Sequence, residues 1–184
     1  MMPTKTRAVF FDRDGTLIEH VHYLCRPEQV RLIPGVAQAL IEIAALGYRR
    51  ILVTNQSAIA KGLLTVEGLR AIQAELAKQL AAQGASLDDW YFCPFTGSLD
   101  REQIEYANRK PGPGMLRKAA DDHKIDLLGS FMVGDMISDV LAGKNAGCAA
   151  SILVGSSGLA NHPAVDHYLP TVADLPALLR QLRI

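Results

Sequence analysis

The chain has 184 residues, 49% of them hydrophobic and 21% charged, which suits one globular domain and excludes a disordered or fibrous polymer. Nineteen basic residues balance 19 acidic ones, so no positive field recruits nucleic acid or an anionic membrane. No apolar stretch is long enough to span a bilayer, and Cys25, Cys93 and Cys148 are too widely spaced for a disulfide or zinc framework, reading as reduced thiols of a cytoplasmic protein.

Met1-Met2-Pro3-Thr4-Lys5 leads straight into the first element and is expected to leave no room for a secretory signal. Arg7-Ala8-Val9-Phe10-Phe11 is apolar after Arg7 with no polar alternation, the pattern of a strand buried on both faces inside a parallel sheet. Asp12-Arg13-Asp14-Gly15-Thr16 follows at its C-terminal end, the edge of an open α/β sheet where ligands bind. Two carboxylates this close repel unless a proton or a cation sits between them. Mg²⁺ suits them, since it takes one or two carboxylates together with a phosphate oxygen and water. An EF-hand loop does not fit, because Leu17 stands where that loop needs Gly and Tyr23 where it needs Glu. A plain Asp-Gly turn stays open until the rest of the chain is read.

Pro34-Gly35 opens a helix with Val36, Leu40, Ile43, Ala44 and Leu46 at helical spacing, and Gly47 ends it. Arg50 to Val53 reads as a second buried strand that delivers Thr54-Asn55-Gln56-Ser57 to a loop. Thr65 can cap the next helix, with Leu69, Ile72, Leu76 and Leu80 on one face until Gly84. Asp89 to Cys93 is a third strand, and an irregular stretch from Pro94 to Pro113 follows, long enough to suggest a functional loop. Met115 to His123 is helical, Ser130 to Gly134 a strand ending at Asp135, and Ser138 to Asn145 a helix stopped by Gly147. Ser151 to Val154 is a further strand, and Leu175 to Leu182 a closing helix. This alternation predicts a doubly wound, mostly parallel α/β sheet with helices on both faces and one domain over residues 1–184.

Polar groups recur just after apolar runs: Asp12 and Asp14, Thr54 and Asn55, Asp135 with Asp139, while Lys110 follows Arg109 on the long loop. In a parallel sheet these groups converge on one crevice. Each alone is an ordinary turn or surface residue; their joint order is the signal. In that order they resemble the motifs of the haloacid dehalogenase-like superfamily of aspartyl-phosphate hydrolases: Asp12-Arg13-Asp14-Gly15-Thr16, Thr54-Asn55, Lys110, and Gly134-Asp135 with Asp139. With Thr54-Asn55-Gln56-Ser57 and Arg109-Lys110-Pro111 before Pro113-Gly114-Met115, the chain is similar to the D,D-heptose 1,7-bisphosphate phosphatases and their relatives the histidinol-phosphate phosphatases.

That resemblance implies a Rossmann-like fold and a Mg²⁺-dependent phosphatase of a small phosphorylated metabolite. The expected substrate is D-glycero-D-manno-heptose 1,7-bisphosphate, cut at the C7 phosphate, with histidinol phosphate as the alternative. It implies Asp12 as nucleophile and Asp14 as acid and base. It places Mg²⁺ on Asp12, the Asp14 carbonyl and Asp135. Thr54 would bond a phosphoryl oxygen and Lys110 offset developing charge, while Asp139 would position Lys110 or a metal-bound water. Arg13, His20, His22, Tyr23, Asn55, Gln56, Ser57 and Arg109 are expected to contact substrate, with the His20-Val21-His22-Tyr23 loop read equally well as solvated surface. Two departures stand out. Heptose bisphosphate phosphatases usually carry Cys-x-His and Cys-x-Cys around zinc, where this chain has Cys93, Phe95, Tyr106 and Asn108. One thiolate does not make a structural zinc site, so no zinc is expected. The residue after the Asp135 position is often lysine there and is Met136 here.

The stretch from Asp12 to Thr54 holds one loop-helix-strand crossover, which leaves no place for a separate cap domain and predicts an open site. A monomer without nucleic-acid or membrane partners is expected. Two other classes compete with the phosphatase. A receiver-type phospho-acceptor shares the sheet, Asp, Thr and Lys, but Asp14 argues against it by supplying a base that empties the phospho-aspartate. A catalytically dead binding module is disfavoured by the complete motif set.

Overall fold

The computed structural model describes residues 6–96 and 107–182. Its sheet has six strands, all parallel: β1 (Arg7–Phe11), β2 (Tyr48–Asn55), β3 (Asp89–Cys93), β4 (Phe131–Gly134), β5 (Ala150–Val154) and β6 (His167–Leu169). They lie side by side in the order β3-β2-β1-β4-β5-β6. Helices among the described residues include α1 (Val36–Ala45), α2 (Ser57–Ala60), α3 (Val66–Ala81), α4 (Gly114–His123), α5 (Ile137–Ala146) and α6 (Leu175–Leu182). The fold is the doubly wound α/β sheet that the alternating pattern predicts.

The apolar run at Arg7–Phe11 is continuous because both faces of β1 are covered. Val9 and Phe11 join one core with residues of α1, α3 and α6, while Ala8 and Phe10 join a second core against α4 and α5. Phe10 and Phe11, both fully buried, each remove roughly 150–250 Å² of surface from water, worth about 25 cal/mol per Å² where it is apolar. Thr65 caps α3 as its position suggests, accepting from the Gly68 N–H at 3.0 Å.

The structure differs from the sequence reading in three places. β2 runs two residues past Val53, so Thr54 and Asn55 are ladder residues opposite Phe92 and Cys93 rather than loop. The ladder to β3 holds them extended despite their polarity. β6 and the single turn of α2 were not foreseen: three half-buried residues and four residues respectively are too short to show a period. Of the stretch Pro94 to Pro113, residues 97–106 lie outside the described residues, Tyr106 among them. Among the described residues no helix is long and apolar enough to cross a membrane.

Candidate active site

The three central strands deliver the motif residues to one edge. Phe11 pairs with Leu52 on β2 and with Val133 on β4, and the amide of Asp12 still donates to the Val133 carbonyl at 2.9 Å. The chain then turns sharply. The Arg13 carbonyl accepts from the amides of Leu17 at 3.0 Å and Ile18 at 3.1 Å, and Gly15 N–H returns a bond to the Ile18 carbonyl at 2.8 Å. Gly15 takes φ +83°, and a Cβ there would fall 2.4 Å from Asp135 Oδ2, so only glycine lets this turn pass beside β4's terminal carboxylate.

Lys110 lies under the floor, 3% exposed, with its ammonium bonded to Asp12 Oδ1 at 2.6 Å and to the Val53 carbonyl at 2.8 Å, and paired with Asp139 Oδ1 at 2.7 Å. Burial works against its charge, but Asp12 and Asp139 outweigh it and hold the ammonium above the ordinary lysine range. Asn55 fixes the backbone of Lys110 from both ends of its amide: Nδ2 donates to the Lys110 carbonyl and Oδ1 accepts from the Lys110 amide, each at 3.1 Å. Asp139 also caps α5, its Oδ2 accepting from the Met136 amide at 3.0 Å. Gly134 makes room for it, since a Cβ there would sit 2.4 Å from Asp139 Oδ2.

Burial, with Asp139 and Asp14 adding to it, outweighs Lys110 and pushes the Asp12 carboxyl up to about 7. Burial and Asp139 raise Asp135 to about 6. One ammonium therefore does not balance the acids gathered here. Carboxylate oxygens of Asp12, Asp135 and Asp139 lie within 4.8 Å of one another, and the buried Asp135 Oδ1 has no hydrogen-bond partner among the described residues. Hard oxygen donors in excess of local positive charge, one of them orphaned, fit a divalent cation. Asp14 is different: its carboxylate is turned toward Arg13 and Gln56 and is not part of that acidic group.

The residues converge on an open cleft of about 370 Å³. Asp12, Arg13, Asp14, His20, His22, Tyr23, Asn55, Gln56, Ser57, Arg109, Lys110, Asp135 and Asp139 all line it, which brings together every expected site residue except Thr54. Thr54 is buried beneath, its hydroxyl accepting from Gln56 Nε2 at 2.8 Å. Three expected substrate contacts have their hydrogen bonds turned inward. Arg13 is only 1% exposed and directs its guanidinium at Asp14, Gln56 bridges Thr54 and Asp14, and Asn55 holds Lys110. At the rim, the His22 and Tyr23 rings meet edge-on with centroids 4.2 Å apart, and the Arg109 guanidinium donates to the Phe95 carbonyl at 2.7 Å.

Residues 107–175 match the HAD-hydrolase-like family model. The D-glycero-beta-D-manno-heptose-1,7-bisphosphate 7-phosphatase of Pasteurella multocida is 37% identical over 182 residues, covering 96% of this chain and 98% of that protein. The chain belongs to the heptose-bisphosphate phosphatase family of HAD-like hydrolases. The enzyme of the same name from Rhodopseudomonas palustris is 40% identical over 142 residues, covering 76% of this chain and 79% of that one. Among solved heptose-bisphosphate phosphatases, the B. bronchiseptica D,D-heptose 1,7-bisphosphate phosphatase complexed with magnesium and phosphate superposes with a TM-score of 0.85 at 30% identity, covering 96% of this chain and 99% of that one. Ser138, a hydroxyl donor, also lines the cleft, although no motif in the sequence marks it. Ser138 carried a usable signal: it stands in the first turn of α5, between Asp135 and Asp139.

Proposed function

We propose that the chain is a Mg²⁺-dependent phosphomonoester hydrolase that removes the C7 phosphate of D-glycero-D-manno-heptose 1,7-bisphosphate through a phospho-Asp12 intermediate. The observation that carries this reading is Asp12 at the floor of an open polar cleft, bonded to a buried ammonium at 2.6 Å and followed two residues on by a second carboxylate. The substrate follows from the Pasteurella multocida and B. bronchiseptica enzymes, each of which aligns with 96% of the chain.

Asp12, the Asp14 carbonyl and Asp135 would hold Mg²⁺, which supplies charge neutralisation at the phosphoryl oxygens. An Asp12 carboxylate oxygen attacks phosphorus while the ester P–O bond breaks, and Asp14 gives its proton to the departing alkoxide. Asp14 then takes a proton from the water that attacks the acyl phosphate, freeing Asp12 and inorganic phosphate. Lys110 stabilises charge at Asp12 and the phosphoryl group, with Asp139 and Asn55 holding it in place. The Thr54 hydroxyl, oriented by Gln56, keeps its hydrogen for a phosphoryl oxygen. His20, His22, Tyr23, Ser57 and Arg109 face the sugar and the distal phosphate from the rim.

The enzyme works as a single domain without zinc in this reading. Support comes from the start of the zinc-loop positions: Cys93 is buried in the second core with Phe95 packed beside it, and Arg109 ties the Phe95 carbonyl. The test is turnover by purified protein of heptose 1,7-bisphosphate and histidinol phosphate, with Mg²⁺ removed and restored. Preference for the heptose, and a fall of ~10⁴-fold in Asp12→Asn, or roughly 5.5 kcal/mol, are expected. Faster turnover of histidinol phosphate would reassign the substrate, and a long-lived acyl phosphate on the wild type would favour a phospho-acceptor.

A further inference from the structure

Arg13 is among the largest fully buried side chains in the protein, a poor place for a guanidinium unless something there needs it. Among the described residues, its guanidinium bonds only to its sequence neighbour. Nε reaches Asp14 Oδ2 at 3.2 Å, and Nη2 reaches Oδ2 at 3.0 Å and Oδ1 at 3.2 Å. The remaining nitrogen, Nη1, is buried with no hydrogen-bond partner among the described residues. Desolvating an arginine and leaving one of its nitrogens unbonded works against stability, which makes a purely structural account a weak one.

Gln56 adds a donor from beyond the end of β2, its Nε2 donating to Asp14 Oδ2 at 3.2 Å while also holding Thr54 Oγ1 at 2.8 Å. Oδ2 thus accepts from three donor atoms, while Oδ1 accepts from Nη2 alone. A carboxylate oxygen has two lone pairs, so Oδ2 is saturated and Oδ1 keeps one free. The fork geometry of a guanidinium fixes the plane of the carboxylate as well as its position, which a lysine ammonium cannot do.

We infer that Arg13 is a positioning residue, not a substrate contact: with Gln56 it locks the Asp14 carboxylate in one orientation and makes Oδ1 the oxygen that gives and takes the proton. This rests on the acid/base role assigned to Asp14 above. Without the lock the carboxylate rotates, and proton transfer falters in both half-reactions while substrate binding is largely kept.

The test compares wild type, Arg13→Lys and Arg13→Gln by rapid mixing with Mg²⁺ on two substrates: an alkyl phosphate, whose leaving group needs a proton, and 4-nitrophenyl phosphate, whose leaving group does not. On the alkyl substrate kcat should fall by about tenfold or more, part of the ~10²–10⁴-fold that general acid–base catalysis commonly supplies, with KM within about threefold. On the aryl substrate the variants should release a stoichiometric burst of nitrophenol and then turn over slowly, with hydroxylamine-sensitive phosphate accumulating on Asp12. Equal loss on both substrates without a burst, as fewer active molecules would give, overturns the proposal. Should neither Arg13 variant fold, Gln56→Met removes the other hold on Oδ2 and must show the same burst in weaker form; its absence is equally decisive. If the wild type itself never yields acyl phosphate on quenching, the phospho-Asp12 reading fails rather than this one.

Discussion

Removing the buried cation under Asp12 should reveal how the floor of the cleft is balanced. Lys110→Met keeps most of the side chain's length and volume and removes the ammonium with its charge and hydrogens. At an effective dielectric of about 20, contacts of 2.6 and 2.7 Å to Asp12 and Asp139 amount to roughly 6 kcal/mol each before desolvation. Desolvation cancels much of that, and loss of one member of a buried pair typically costs about 3–5 kcal/mol. The two acids left behind have oxygens within 4.8 Å, a repulsion of at least ~3 kcal/mol at the same dielectric if both stay ionised. They escape by taking up a proton, so the net loss should be about 3–5 kcal/mol at pH 7.5 and clearly smaller at pH 5. Urea unfolding in metal-free buffer at both pH values measures it. An unchanged midpoint, or the same loss at both pH values, would refute the view that Lys110 is there chiefly to neutralise these carboxylates. Turnover with Mg²⁺ should fall by at least ~10²-fold, as for loss of a charge-stabilising donor.

Three further outcomes are expected. Asp14→Asn should trap phospho-Asp12 on a substrate with a good leaving group, detected by intact-protein mass after quenching. Asp12 and Asp135, raised by burial to about 7 and about 6, bind protons more readily in the folded than in the unfolded protein. Metal-free stability should therefore fall as pH rises from about 4 toward 7, and Mg²⁺ should raise Tm more at pH 7 than at pH 5, read by thermal melts. Elemental analysis should find no stoichiometric zinc, and Cys93→Ser should lower Tm while leaving kcat largely intact, because Cys93 is 1% exposed in an apolar cluster.

Much of this was legible in the residues because the central strands are buried on both faces. Arg7–Phe11 and Asp89–Cys93 have the bounds their composition suggests, and the C-terminal edge collects Asp12, Asp135 and Lys110 as a parallel sheet dictates. β6 was not legible, since His167–Leu169 is half-buried and has no apolar run; only its partner β5 makes it a strand. Nor could the sequence say which donors stay free. Arg13, Asn55 and Gln56 are residue types suited to phosphate or sugar, but their bonds go to Asp14, Lys110 and Thr54. The Asn55–Lys110 bond joins segments distant in the chain, while the Arg13–Asp14 and Gln56–Thr54 bonds depend on rotamers, and a motif records residue identity alone.

The position of β1 in the sheet bears on how the protein fails. Asp12 is anchored by a ladder bond to Val133 and follows a strand paired on both sides, with its cation reaching across from beneath β2. Freeing that carboxylate means opening the most protected part of the molecule, not fraying an edge. Activity on heating or in denaturant should then decay together with the global transition, and the amides of Phe10 to Asp12 should exchange with solvent only when the whole sheet comes apart. Regulation by local melting is closed to such a design. Control over this reaction has to come from the loops at the rim, where the backbone is not part of the ladder.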